Sequence, residues 1–206
     1  MKKIRKKVVS MICMATIMVA SVMPVNAASV SDAQKAEYYK EYQEIVQALS
    51  EESGTEVGLL PASEFAEEDW RSPEEFEEIV RQLISAKAVL CENEEGEQYV
   101  AARSTVPASK SKKVAWSESL SCTIKISASF TTQLHGNRQF ISSVSSIESE
   151  KTSGSGTWEQ KGSEYELIDS ARTAQVTVSG RITYSGATVV KLVTVEFYCS
   201  NTGTIS

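Results

Sequence analysis

The sequence predicts a segregated α+β protein, in which an N-terminal helical region precedes an all-β antiparallel sandwich, with a barrel as the alternative. Apolar residues recur at helical spacing in the first part of the chain and alternate with polar residues in the last part. Charge divides the chain at the same place. Residues 28–97 carry 19 acidic and 5 basic side chains, whereas residues 98–206 carry 8 and 11. We therefore expect two unlike structural units.

Residues 1–27 are predicted to be a secretory signal peptide. Residues 1–7 contain five basic and no acidic side chains, and residues 8–23 form an apolar run of 16 residues. Small residues follow, so cleavage is expected after Ala27. The apolar run is shorter than the roughly 20 residues that a membrane-spanning helix needs, which disfavours a retained anchor. The prediction is a secreted protein, and the strongly basic head favours a Gram-positive bacterial source.

Residues 28–100 are predicted to be an acidic helical region. Ser31 and Gln34 have the spacing of a capping box, and the helix that they begin is expected to end at Gly54. A second helix is predicted to begin at Ser72-Pro73-Glu74-Glu75, with proline in the first helical position. Each helix has one apolar face, formed by Tyr38, Tyr42, Ile45, Val46 and Leu49 in the first, and by Phe76, Ile79, Val80, Leu83 and Ile84 in the second.

A packed connector is expected between the two helices, with a short helical turn after Pro61. Two helices of this length bury little surface by themselves, and a chain of about 60 residues is only marginally stable alone. We therefore expect the acidic region to pack against another part of the protein. Residues 101–112 are small and polar and include a proline, which predicts a linker.

Residues 113–206 are predicted to form the β-sandwich. Residues 120–132 alternate between apolar and polar side chains, as a half-buried strand does. A turn at His135-Gly136-Asn137 leads into a return strand over residues 138–148, whose pattern is less regular, and residues 152–156 are expected to be a loop. Further strands are predicted through Trp158, near Tyr165–Ile168, over residues 174–184 and over residues 188–199.

The cysteines allow one disulfide prediction. Cys122 and Cys199 each lie on the apolar face of a predicted strand, so a disulfide between them is one interpretation and two buried free thiols is the other. Closing so long a loop contributes roughly 4 kcal/mol in the usual entropy model. Cys91 lies beside several glutamates, which makes it a poor candidate nucleophile.

Motifs for catalysis, cofactors or metals are not found in the sequence. His135 is the only histidine, so any Ser-His or Cys-His site would depend on it, and a turn residue is the favoured interpretation. The spacing of Ser109 and Lys112 matches a Ser-x-x-Lys pair, but these residues lie in the predicted linker. Residues 92–97 faintly resemble a calcium loop, and a solvated acidic face is favoured instead. We predict no enzyme, cofactor or metal.

Partners are expected outside the cell. The net charge without the signal peptide is −11, from 16 basic and 27 acidic side chains, which disfavours nucleic acid. Five aromatic residues of the β region could form a carbohydrate-binding platform, or they could be ordinary packing residues of the strands: Trp116, Trp158, Tyr165, Tyr184 and Tyr198.

The leading functional hypothesis is a secreted, non-catalytic binding or surface-interaction protein, whose partner is an extracellular protein or a glycan and whose contacts come from loops at the sandwich ends. The alternative is an acidic helical pro-region that is cleaved from a β-domain effector, antimicrobial or toxin-like. Contact of alternating strands with a membrane is a third and weaker hypothesis.

Overall fold

The computed structural model describes residues 30–91 and 105–206. The predicted signal peptide and the glutamate-rich residues 92–100 lie outside the described residues, as do residues 101–104. Within the described part of the chain, no helix has both the length and the apolar character needed to cross a membrane.

Two helices form where the sequence predicts them, α1 (Asp32–Ser53) and α2 (Pro73–Ser85). Ser31 and Ser72 each accept a hydrogen bond from the backbone N–H three residues on, which completes the two predicted capping boxes. Gly54 ends α1 in the left-handed conformation. The most buried positions belong to the predicted apolar faces: Tyr42, Val46 and Leu49 on α1, and Phe76, Val80 and Leu83 on α2.

Eight strands form two antiparallel sheets of four strands each, which confirms the α+β class with a β-sandwich, one sheet curving into a half-barrel. The strand order is β1-β8-β7-β6 in the first sheet and β2-β3-β4-β5 in the second. The strands are β1 (Val57–Leu59), β2 (Lys87–Leu90), β3 (Thr105–Ala115), β4 (Ser121–His135), β5 (Arg138–Gly154), β6 (Thr157–Ile168), β7 (Thr173–Tyr184) and β8 (Ala187–Tyr198).

The acidic region supplies one strand to each sheet. β1 follows α1 and pairs with β8, whereas β2 follows α2 and pairs with β3. Buried residues of the helices and of both sheets belong to one hydrophobic cluster. Lys191 of β8 adds a polar connection, because its amine donates to the carbonyls of Ile84 at 2.5 Å and Ala86 at 3.4 Å, at the end of α2. Burial lowers the pKa of this lysine.

The predicted linker is mostly strand. Its residues 105–112 belong to β3, which pairs with β4 continuously from Thr105 to Ala115. Small and polar residues form a strand here because Val106 and Val114 face the core while the other side of the sheet meets solvent. Pro107 is tolerated because β2 pairs only with residues 112–115 of β3, which leaves Pro107 in the part of β3 that lies at the sheet edge.

β5 is irregular because it contains bulges. Its register against β4 shifts between Ser127 and Ser129 and again between Thr131 and Thr132. Each bulge adds one residue and moves the core-facing position by one place. Ile141, Val144 and Ile147 therefore all pack against the core although they are three residues apart, which explains the imperfect alternation in the sequence.

Two further boundaries differ from the predictions. The expected loop over residues 152–156 is strand as far as Gly154, leaving a tight turn before Thr157. The two short strands expected through Trp158 and near residues 165–168 are one continuous strand, β6. Its register shifts between Gln160 and Gly162, which interrupts the alternation that would mark one strand in the sequence.

A pair of glycine substitutions tests the contact between the connector and the sandwich. Gly186 has φ +75°, and an added Cβ would lie 2.1 Å from the ring of Phe65, whereas Gly136 has φ +63° and open space. We expect Gly136→Ala to cost about 1–2 kcal/mol of unfolding free energy through backbone strain alone. Gly186→Ala should cost about 1–3 kcal/mol more, because Phe65 must move. Urea denaturation measures both, and equal losses would contradict this packing.

Candidate functional site

A cavity lies where the connector between α1 and α2 meets one end of the sandwich. It has a volume of about 420 Å³, within the range of small-ligand sites. We call it the helix–sandwich cavity. The connector, the β5–β6 turn and the β7–β8 turn contribute its lining, which consists of Leu60, Glu68, Asp69, Arg71, Gly156, Thr157, Thr183, Tyr184, Ser185 and Gly186.

An aromatic cluster fixes the connector side of the cavity. The fully buried Tyr42 of α1 stacks on Phe76 at 3.9 Å between ring centroids, and on Phe65 at 6.0 Å. Its hydroxyl donates to the Arg71 carbonyl at 2.5 Å and accepts from the Arg71 N–H at 3.0 Å. Burial raises the pKa of Tyr42, so the hydroxyl remains a donor at neutral pH. The backbone of Arg71 is therefore held in place at the cavity.

The β7–β8 turn forms the opposite wall. The Leu60 N–H donates to the Gly186 carbonyl at 2.9 Å, which joins the connector to the turn. Ser185 and Gly186 both have positive φ, so the turn is tight. The close approach of Phe65 requires a residue without Cβ at position 186. The turn thus brings its serine and the neighbouring Tyr184 to the cavity wall.

Arg71 is the least satisfied group in the lining. Its Nε is sealed from solvent and has no hydrogen-bond partner among the described residues, and its guanidinium makes no ion pair there. Asp69 is engaged instead with the backbone N–H of Ala66 at 3.0 Å, while Glu68 is exposed. An unpaired donor in a sheltered position costs free energy that a ligand acceptor would recover.

A second unpartnered donor lies close to the cavity. The indole N–H of Trp116 is buried and has no partner in the described part of the chain. Its ring packs against Tyr184, with the ring centroids 5.7 Å apart. The lining therefore combines a guanidinium, two carboxylates, hydroxyls and backbone groups around Tyr184 and Leu60. Such a set can orient a ligand through hydrogen bonds in both directions.

A smaller pocket, of about 290 Å³, lies at the opposite end of the sandwich. Its lining comes from the β4–β5 hairpin and the β6–β7 turn, namely Gln133, His135, Phe140, Ile141, Ser142 and Ser170. His135 is exposed there and meets the edge of Phe140 at 6.3 Å between ring centroids. The predicted turn follows it directly, at the end of β4.

The structure does not join the two predicted cysteine partners. The rings of Phe130 and Phe197 meet across the sandwich at 4.7 Å, and Cys199 follows two residues after Phe197. Cys122 precedes Phe130 by eight residues of β4, a length of about 26 Å at the usual rise per residue. Both thiols are free and fully buried, and so the predicted disulfide is not formed. Burial raises the pKa of Cys122 to about 11 and also raises that of Cys199.

The five aromatic residues considered for a carbohydrate platform do not share a surface. Trp116 and Tyr184 are neighbours, and Tyr184 lines the cavity. Trp158 donates from its indole N–H to Ser149 at 2.9 Å and packs over Gly180. The remaining two lie elsewhere on the sheets, Tyr165 on β6 and Tyr198 on β8 beside Arg138.

Arg71 was not identified by the sequence analysis. Its position at the cavity arises from the approach of the connector to two distant turns, which leaves no local motif. The Ser-x-x-Lys spacing at Ser109 and Lys112 falls within β3, and the acidic residues 92–97 lie outside the described part. Among the residues described, no group of three or more His, Cys, Asp and Glu side chains could hold a metal ion.

Comparisons with known proteins give no relative for this chain. No family model matches the sequence, and neither the search of curated proteins nor that of solved structures found a match.

Cysteine labelling tests the absence of the disulfide. In the folded chain that begins at Ala28, we expect iodoacetamide at pH 8 to modify the partly exposed Cys91, while burial and a raised pKa protect Cys122 and Cys199. In denaturant without reductant, all three thiols should react. Intact-mass analysis counts the modifications, and a single modification under denaturing conditions would contradict free thiols at Cys122 and Cys199.

Proposed function

We propose that this chain is a secreted, non-catalytic binding protein that holds part of an extracellular protein or glycan in the helix–sandwich cavity. The proposal of secretion rests on the basic and apolar pattern of residues 1–27. The proposal of binding rests on the cavity, which is large enough for a small ligand group and has convergent polar residues.

The single observation that carries the proposal is the buried Nε of Arg71, which has no hydrogen-bond partner among the described residues. Arginine side chains in a folded protein normally have carboxylate, carbonyl or water partners, and a sheltered Nε without one is costly. The Tyr42 hydroxyl bonds to the N–H and the carbonyl of Arg71, which fixes the backbone from which this side chain extends. A ligand acceptor in the cavity would complete its hydrogen bonding.

A role without catalysis agrees with the composition of the lining. It contains Glu68, Asp69, Arg71 and several hydroxyls, and Asp69 already caps the short turn at Ala66. Histidine and cysteine are absent from the described lining, and of its two carboxylates Glu68 is exposed to solvent while Asp69 accepts from the Ala66 N–H. These groups are suited to positioning a ligand.

The alternative of a cleaved pro-region is less well supported by the strand pairing. Removing the acidic region would take β1 from β8 and β2 from β3. It would also uncover the apolar surface that now contacts Tyr42, Phe76 and Leu83. Exposed strand edges and exposed core surface favour aggregation of the remaining domain.

Binding to glycan and peptide arrays tests the proposal, with the chain that begins at Ala28 as the probe. Arg71→Met should weaken binding to the array compound that the wild type binds by at least about tenfold, since a hydrogen bond to a charged group contributes about 1.5–3 kcal/mol. Arg81→Met is the matched control, because Arg81 lies on the exposed face of α2 with surface ion pairs to Glu52 and Glu77, and it should bind like the wild type.

Two results would contradict this function. One is equal binding by wild type and Arg71→Met, which would place the ligand elsewhere. The other is turnover of an array compound that Arg71→Met abolishes, which would make the cavity a catalytic site.

A further inference from the structure

We infer that the helix–sandwich cavity binds an uncharged sugar residue of a glycan. This inference rests on the proposed binding function and specifies its ligand. Three properties of the lining support it: the balance of its charges, the mixture of donors and acceptors, and the apolar surface beside them.

The charges of the lining disfavour an anion. Among the described lining residues Arg71 is the only cation, and Glu68 and Asp69 contribute two carboxylates. A bound carboxylate or phosphate would gain the guanidinium but meet two like charges, in a site where repulsion is only partly screened. A neutral ligand avoids this repulsion and still accepts a hydrogen bond from Arg71.

Donors and acceptors are both present in the lining. Arg71 only donates and the two carboxylates only accept, whereas the hydroxyls of Thr157, Thr183 and Ser185 do both. A ligand that satisfies all of them needs several groups that each donate and accept. Adjacent sugar hydroxyls have this property. An aliphatic or aromatic side chain of a peptide does not, and it would leave the buried Nε of Arg71 without an acceptor.

The remaining wall suits the C–H face of a pyranose ring. Leu60 and Tyr184 contribute to the lining, and the Tyr184 ring is supported by Trp116. The backbones of Gly156 and Gly186 also line the cavity, and the space that a Cβ would need at Gly186 is occupied by the Phe65 ring. The smaller pocket near His135 has an apolar floor of Phe140 and Ile141 and contains no charged pair of this kind.

Three sugars that differ mainly in charge test the inference: N-acetylglucosamine, glucosamine and glucuronic acid. The folded chain that begins at Ala28 is labelled with ¹⁵N, and the shifts of the backbone amides of Gly156 and Gly186 report occupancy of the cavity. We expect N-acetylglucosamine to shift both amides with a millimolar dissociation constant, and glucuronic acid to bind at least tenfold more weakly. Arg71→Met should raise the dissociation constant for N-acetylglucosamine at least tenfold.

Arg81→Met is again the control and should bind as the wild type does. Unchanged amide signals far from the cavity in Arg71→Met would show that this variant folds. Tighter binding of glucuronic acid or of glucosamine than of N-acetylglucosamine at these amides would overturn the uncharged-ligand inference, while the cavity would remain a binding site. No shift of the two amides with any of the sugars would overturn the sugar inference, and the array experiment would still decide the binding function separately.

Discussion

The pairing of β1 with β8 and of β2 with β3 is the constraint on which the rest of the structure depends. Each short strand ties one end of a helix to a different sheet, so the helical region bridges the sandwich. Because the region between these two strands must pass from one sheet to the other, the connector is carried to the end of the sandwich, and the helix–sandwich cavity forms there.

Packing and hydrogen bonding then fix the connector in place. Tyr42 reaches from α1 into an aromatic cluster with Phe65, Trp70 and Phe76, and its hydroxyl holds both backbone groups of Arg71. Lys191 holds the other end of this region by donating to the carbonyls at the end of α2, where the last turn has no basic residue of its own. A weakly stable acidic segment becomes a rigid wall of the cavity through these contacts.

Local signals in the sequence were sufficient for the helices and for most of the sheet. Capping boxes at Ser31 and Ser72 and the alternation in residues 120–132 depend on neighbours in the chain, and the structure confirms them. Features that depend on pairing between distant strands could not be predicted from local patterns. Residues 105–115 have the composition of a linker and form a strand because they pair with β4. In β5, the bulges interrupt the alternation of apolar and polar residues.

The cavity depends on contacts between residues that are far apart in the sequence. Arg71 and Gly186 have no shared motif, and the glycine is required only because Phe65 lies against it. The cysteine prediction was limited for the same reason, since both Cys122 and Cys199 face the core but at opposite ends of their strands. The alternation of residues tells which face of a strand a side chain lies on. Its position along the sandwich depends on how the two sheets are aligned, which no local pattern encodes.

The central claim is that the acidic region and the β region form one folded unit. It is tested most directly by placing a protease site after Glu97, cutting the folded chain there, and measuring whether the two fragments elute together from a sizing column under native conditions. The shared core and the two strand pairings predict a single species with the mass of the uncut chain. A fragment of residues 98–206 that elutes alone and retains the β-sheet circular dichroism of the uncut chain would contradict the account.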